Sequence, residues 1–362
     1  MRKFTLALAL GLTMFAGNAP ASAPAPAAVS ISGEGASFPA SIYKKWGEVY
    51  KSQTGLGFSY DASGSGNGIK QIEAKAVDFG ASDKPLKADE LDKAGLVQFP
   101  TVVGGVVPVI NVVGIDSGTL KLDGPTLASI FMGKITKWND PAIAALNPDL
   151  QLPNETIAIV HRSESSGTTF IFTNYLSKAS PEWKSEMGEG TTVPWKAGTG
   201  CRTNLLIPVC MYQINNSIGY MDYAYAAKVG MNMVQMKNHA GLFVAPSGTA
   251  FQEAARHAKW DEAAHFYEIL TDEPGVESWP IVGATFILMH NTQAKPDTAR
   301  QVLKFFSMAY SSEGDAAASE LGYVPLPRQL QDQIRQVWAA QVKDARGNAV
   351  CADGCGAAAA TR

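Results

Sequence analysis

The chain has 362 residues, of which 46% are apolar and 17% charged. That composition excludes a disordered chain, and the length exceeds what one ordinary hydrophobic core fills, so two domains are expected. A formal net charge of −3 lacks the basic excess of a nucleic-acid binder.

Arg2 and Lys3 precede an apolar stretch over residues 5–16 that is too short to span a bilayer. The pattern reads as a secretory signal peptide over residues 1–21. Ala19-Pro20-Ala21 and Ala25-Pro26-Ala27 both offer small-residue cleavage sites, so the cut falls between 21 and about 27. Ala21-Ser22-Ala23 is a poorer site because Pro24 follows it. The competing reading is a buried N-terminal helix. No Cys lies near the leader, so no lipid anchor is expected, and no later apolar run is long enough for a membrane helix. The mature chain is expected to be soluble outside the cytoplasm.

The globular part opens with a short strand pattern, Val29-Ser30-Ile31-Ser32. Gly33-Glu34-Gly35-Ala36-Ser37-Phe38-Pro39 follows, and then a helix whose buried face is marked by Phe38, Ile42, Trp46, Val49 and Tyr50. Gly57-Phe58-Ser59-Tyr60 is a second strand, running into Ser63-Gly64-Ser65-Gly66-Asn67-Gly68 and a helix from Ile69. Val77-Asp78-Phe79-Gly80-Ala81-Ser82-Asp83 is a third strand and turn. Strands alternating with helices predict βαβ units and a mainly parallel sheet, an α/β fold.

Residues 101–114 are nearly all apolar, as in a strand buried on both faces, and a first crossing between domains is expected there. Ile157-Ala158-Ile159-Val160 leads into His161-Arg162-Ser163-Glu164-Ser165-Ser166-Gly167-Thr168-Thr169 and a helix with Phe170, Tyr175 and Leu176. Phe286-Ile287-Leu288-Met289 marks a strand near a second crossing. Two amphipathic helices close the domain, one with Val302, Leu303, Phe306 and Tyr310, the other with Leu330, Ile334, Val337 and Trp338. Residues 346–362, rich in Ala and Gly, are expected to form a flexible tail outside any Cys351–Cys355 loop.

Four cysteines, Cys201, Cys210, Cys351 and Cys355, allow three disulfide connectivities. The local pairs Cys201 with Cys210 and Cys351 with Cys355 are favoured because short loops close readily. A zinc site is the rival, but these spacings do not match the usual knuckles.

Three segments share one design, a strand, a Gly/Ser-rich turn and a helix. They centre on Ala36-Ser37-Phe38, Gly64-Ser65-Gly66 and Ser165-Ser166-Gly167-Thr168. A helix N-terminus has unpaired N–H groups and partial positive charge, Gly lets an anion approach the backbone, and Ser and Thr add hydroxyl donors. Arg162 beside the third turn adds a charged fork. Each turn alone is equally an ordinary N-cap. From the residues alone, both readings stand.

Catalytic machinery is not evident. There is no G-x-x-x-x-G-K-[ST] loop, no G-x-S-x-G elbow and no H-E-x-x-H pair among His161, His239, His257, His265 and His290. His161 is read as a packing residue or a support of Arg162. No metal or cofactor is expected.

On these residues the sequence resembles the periplasmic phosphate-binding proteins of Pst-type ABC transporters, from about residue 31 to 345. The resemblance rests on G-E-G-A-S-F-P, V-D-F-G-A-S-D, Q-F-P-T-V-V-G-G-V-V, G-K-I-T-K-W-N-D-P-A-I, S-S-G-T-T-F-I-F-T-N-Y-L and W-P-I-V-G-A-T-F-I-L. It implies a two-lobed type II periplasmic binding fold with the ligand cleft between lobes. Lobe I would comprise residues 30–102 and 282–345, and lobe II residues 103–281. It also implies a periplasmic, non-catalytic monomer that delivers inorganic phosphate to membrane permease subunits.

The family's phosphate contacts fall on Ser37, Phe38, Ser65, Asp83, Arg162, Ser166, Gly167 and Thr168, with Phe38 using its backbone N–H. Asp83 then has a chemical role, since a carboxylate accepts a hydrogen bond from protonated phosphate and repels unprotonated sulfate. Glu164 stands where the family has Asp and would hold Arg162. Glu34 replaces a small apolar residue, and the segment from Cys201 to Cys210 replaces a Gly-rich stretch. The rivals are a binder of another oxyanion (arsenate, molybdate or sulfate) and an exported phosphohydrolase.

Overall fold

The computed structural model describes residues 30–353, 355 and 356. The leader and its cleavage sites lie outside the described residues. Among the described residues, no helix is long and apolar enough to cross a membrane.

One mixed sheet of nine strands organises both lobes. Its order is Phe58–Asp61, Ile31–Gly35, Phe79–Ser82, Val282–His290, Leu96–Asn111, Ser217–Asp222, Ala158–Arg162 and Thr199–Cys201, with Asn232–Met233 also on Leu96–Asn111. The first three strands are mutually parallel, as βαβ units require. Val282–His290 then enters antiparallel to both its neighbours. In the other half, Ala158–Arg162 is parallel to both Ser217–Asp222 and Thr199–Cys201.

The strand Leu96–Asn111 belongs to both halves. Leu96 to Gly105 pairs with Val282–His290, and Val106 to Asn111 pairs with Ser217–Asp222. It starts earlier than its apolar run suggested, and all its residues except Asn111 are buried. At the changeover Val106 donates its N–H to the Ile281 carbonyl at 2.8 Å, so the two chain crossings lie side by side. Gly104 and Gly105 have no Cβ there because the rings of Phe38, Tyr323 and Phe251 occupy that space.

A bulge interrupts the pairing between Thr285 and Phe286, where Val102 and Pro100 are the partners and Thr101 has none. Such bulges turn a side chain out of the regular ladder. The extra residue here is Thr101, whereas Thr285 lies one position beyond the Phe286–Ser82 pair, across from Asp83 at the neighbouring strand end, and bonds to its carboxylate.

Helices cover the sheet. Ala40–Thr54 buries Ile42, Tyr43, Trp46, Gly47 and Tyr50 and stops at Gly55, whose φ of 73° is the left-handed conformation glycine favours. Val49, expected on that buried face, is half-buried. Pro296–Ala309 and Arg328–Gln341 present the anticipated apolar faces, and a third helix, Ser312–Glu320, lies between them. Phe306 sits at the centre, with ring centroids 5.3 Å from Phe79, 5.6 Å from Phe99, 5.0 Å from Phe305 and 6.0 Å from Tyr43.

Both cysteine pairs form disulfides, Cys201–Cys210 with Cα atoms 6.6 Å apart and Cys351–Cys355 with Cα atoms 5.2 Å apart. Most described residues of the tail expected to be flexible from 346 on are exposed, but the Cys351–Cys355 disulfide and the residue before it are packed. Val350, Cys351 and Cys355 are buried, and Arg300 Nε donates to the Val350 carbonyl at 2.9 Å. Those apolar residues cover the end of Pro296–Ala309, a tertiary contact that composition does not reveal.

Phe306→Ala should destabilise the protein by about 3–5 kcal/mol in urea unfolding, through lost contacts and the cavity left behind. Val113→Ala, at a residue 91% exposed, should stay within about 0.5 kcal/mol of the natural chain.

Candidate anion-binding site

Three turns meet where the two halves of the sheet face each other. The first, Ser37-Phe38, links Ile31–Gly35 to Ala40–Thr54 and is tied to the sheet by Ala36 N–H on the Ala81 carbonyl at 3.0 Å. Phe38 is fully buried, with its ring edge-on to Tyr323 and its carbonyl accepting from Tyr323 Oη at 2.6 Å. Its ring is therefore a core element.

The second turn becomes helical earlier than periodicity indicated. The helix is Ser65–Glu73, capped by Gly64 at φ 112° and ψ 150°. Only glycine adopts that backbone easily, and a Cβ would also press on Glu164 and Ser165 of the third turn. Glu34 accepts from Ser63 Oγ at 2.6 Å, joining the first strand to this turn.

The third turn follows Arg162, the last residue of Ala158–Arg162. Ser166 caps the helix Gly167–Ala179, its Oγ accepting from Thr169 N at 3.2 Å. Gly167 lies against Ser65 and Asp83, where a Cβ would come within 2.6 Å of Asp83 Oδ2. Gly66 N–H donates to the Ser165 carbonyl at 3.0 Å. The three Gly/Ser segments, distant in sequence, thus form one cluster.

Arg162 is 2% exposed, and each of its three side-chain nitrogens has a partner, with one Nη1 hydrogen left for a further acceptor. Nε donates to Glu164 Oε1 at 2.9 Å, Nη1 to Asn204 Oδ1 at 2.9 Å and Nη2 to Ser37 Oγ at 2.9 Å, with Nη2 also on Glu164. Glu164 accepts a further bond from Thr203 N at 2.9 Å. His161 does not enter this network. Its ring stacks on Trp195 at 4.7 Å, and burial lowers its pKa against an opposing bond with the Arg162 carbonyl.

Asp83 follows Phe79–Ser82 and is 2% exposed. Its N–H donates to Ser65 Oγ at 3.1 Å, and Oδ1 accepts from Thr285 Oγ1 at 2.7 Å. Oδ2 is buried without a hydrogen-bond partner. Burial pushes the carboxyl up from 3.8 to about 7, against the pull of Thr285 and Arg162 and with the help of the Asp222 charge. Asp222 is likewise pushed up to about 7, chiefly by burial, while Tyr225 N–H and Arg162 favour its charged form.

One guanidinium therefore faces three carboxyl groups, and the cluster has no surplus of fixed positive charge. An anion held here depends on N–H and O–H donors. Asn204, Asp222 and Thr285 were not found from the sequence. Asn204 follows a disulfide-bonded strand end, and Thr285 meets Asp83 by pairing of strands 202 positions apart, so no local motif announces either.

Two α/β lobes sharing a crossing strand, with helix N-termini and a buried arginine between them, define the two-lobed type II periplasmic binding fold. The family model described as "PBP superfamily domain" matches residues 20–313. The chain is 50% identical over 314 residues to the phosphate-binding protein PstS of Haemophilus influenzae, covering 87% of this chain and 94% of that protein. It is 46% identical over 347 residues to the PstS of Pasteurella multocida, covering 96% and 98%. The phosphate-binding protein of Stenotrophomonas maltophilia superposes with a TM-score of 0.67 at 22% identity, covering 91% of this chain and 99% of that one. A high-affinity periplasmic phosphate-binding protein solved with phosphate bound also gives 0.67, at 21% identity and 91% and 100% coverage. The chain belongs to the PstS family of phosphate-binding proteins within that superfamily.

The raised pKa of Asp83 has a definite consequence for stability. The folded protein keeps this proton up to about pH 7, whereas the unfolded chain releases it near 3.8. Stability contributed by this group therefore falls as pH rises between those values. Asp83→Asn cannot ionise, so its melting temperature relative to the natural chain should be higher at pH 8 than at pH 5 in anion-free buffer.

Proposed function

We propose that this chain is an extracytoplasmic solute-binding protein that captures inorganic phosphate between its lobes and delivers it to the permease subunits of an ABC transporter. It acts as a periplasmic monomer, exported by the leader at residues 1–21, and performs no covalent chemistry. Its lobes are residues 30–102 with 282–345, and residues 103–281, hinged where Leu96–Asn111 changes partners and near Ile281.

The observation that carries this reading is the buried, unpartnered Oδ2 of Asp83 facing Gly167 and within the field of Arg162. A carboxylate is a poor lining for a site that takes any anion. It suits an anion that brings its own proton, because that proton bridges the two groups. Ser37, Ser65, Ser166 and Thr168 supply hydroxyls, Phe38 and Gly167 supply N–H groups, and Arg162 supplies the charged donor. Glu164 holds Arg162 from behind.

Sulfate carries no proton near neutral pH and meets Asp83 with like charge. Discrimination by a polar group built for one partner reaches roughly 10⁴-fold. Protonation of Asp83 weakens the rule, because a neutral carboxyl donates to sulfate as readily as it accepts from phosphate.

Calorimetric titration of ligand-stripped protein should give heat with phosphate and little with sulfate at pH 8, and absence of heat with phosphate would sink the reading. Sulfate binding should emerge as pH falls through about 7, following Asp83. Asp83→Asn should lose the preference for phosphate over sulfate at all pH values. Arsenate, which also carries a proton, should bind where sulfate does not.

A further inference from the structure

Asn204 is 1% exposed and stands near the start of the helix Thr203–Gln213. It belongs to none of the three Gly/Ser turns, yet it touches two of them. Its backbone N–H and Nδ2 both donate to Ser37 Oγ, at 3.2 and 3.1 Å. Nδ2 also reaches Thr168 Oγ1 at 3.2 Å. On its other side Oδ1 accepts from Arg162 Nη1 at 2.9 Å and from Asp222 N at 3.3 Å.

We propose that Asn204 is a positioning residue of the phosphate site, setting the guanidinium of Arg162 and the hydroxyl of Ser37 and latching one lobe to the other. The proposal rests on the phosphate-binding reading above. A carboxamide alone meets these demands, since it presents an acceptor and two donors on one rigid plane. The acceptor fixes Arg162 from the side opposite Glu164. The donors act on lobe I through Ser37.

The effect on Ser37 follows from counting lone pairs. A hydroxyl oxygen has two, and three N–H donors converge on Ser37 Oγ, from Arg162 Nη2 and from Asn204 N and Nδ2. With its acceptor capacity filled, the hydroxyl keeps only its own hydrogen to offer. Arg162 and residue 204, the latter through its backbone N–H and reinforced by Nδ2, thereby make Ser37 a donor, which is the polarity an anion requires.

The backbone that presents Asn204 is held for this purpose. Thr203 has φ 56°, a left-handed conformation that is costly for a β-branched residue. Its N–H is fastened to Glu164 Oε1 at 2.9 Å, and the Cys201–Cys210 bridge closes the turn around it. Cys201 is the register partner of Arg162 on the adjacent strand. The disulfide thus ties the helix carrying Asn204 to the strand beside the arginine that Asn204 orients.

The test is phosphate titration and stopped-flow release for the natural chain, Asn204→Ala, Asn204→Asp, Ser37→Ala and the double variant Asn204→Ala/Ser37→Ala. Asn204→Ala should bind phosphate roughly 10- to 100-fold more weakly and release it faster, because unmade bonds leave buried polar partners in the closed form. The rise in melting temperature produced by phosphate should shrink. The two single losses should be less than additive in the double variant, a coupling that a merely structural role would not produce. Asn204→Asp keeps the Oδ1 bonds and the backbone N–H but loses the Nδ2 donors, and is judged by the same criteria if Asn204→Ala does not fold. Natural affinity and release rate in both Asn204 variants, or strictly additive losses with Ser37→Ala, would overturn the proposal. Failure of the natural chain to bind phosphate would instead overturn the functional reading beneath it.

Discussion

The buried guanidinium of Arg162 is the constraint around which the cleft is built. Removing a cation from water costs several kcal/mol unless its donors meet acceptors of good geometry. Here those acceptors come from three places, Glu164 two residues on, Asn204 from a disulfide-bonded turn, and Ser37 from the other lobe. Satisfying one side chain therefore draws a strand end, a helix start and the opposite lobe to one point. The Gly/Ser turns can converge because Gly64, Gly66 and Gly167 leave no Cβ in the way.

The same cation sets the charge balance. Glu164 is bonded to it directly, while Asp83 and Asp222 feel it at longer range and are held back from ionisation mainly by burial. An acidic chain with a nearly balanced cleft does not gather anions by long-range attraction. In the proposed phosphate complex, selection rests on hydrogen-bond polarity, with helix N–H groups and hydroxyls as donors and the Asp83 carboxyl as the acceptor placed to test for a proton. This arrangement explains how a protein of formal charge −3 can serve an anion.

The strand Leu96–Asn111 links that chemistry to the rest of the molecule. Its first part is locked in the lobe that carries Ser37 and Asp83, and its second part in the lobe that carries Arg162 and Asn204. Antiparallel pairing with Phe79–Ser82 brings Thr285 to Asp83, Thr101 Oγ1 donates to the Thr285 carbonyl at 3.2 Å, and the Tyr43 hydroxyl contacts Thr101 Oγ1 at 2.7 Å. Changes at the aspartate are thereby connected to the core beneath the first helix. Trp279 Nε1 donates to the Val106 carbonyl at 2.9 Å and fastens the point where the strand changes partners.

Much of this protein was legible in its residue order. Alternating strands and helices, the long apolar run, the three Gly/Ser turns and Arg162 are local patterns, and local patterns follow from backbone geometry and side-chain periodicity. Family motifs indicated Asp83, whose surroundings supply the physical reason for its place. Tertiary structure alone decided which turns meet, that Asn204 joins them, that Asp222 adds its charge and that Thr285 lies across from Asp83. It also decided that part of the C-terminal segment is packed and that His161 faces Trp195. These features arise from contacts between residues 34 to 202 positions apart. Their energies depend on burial and on partners that no local stretch of sequence contains.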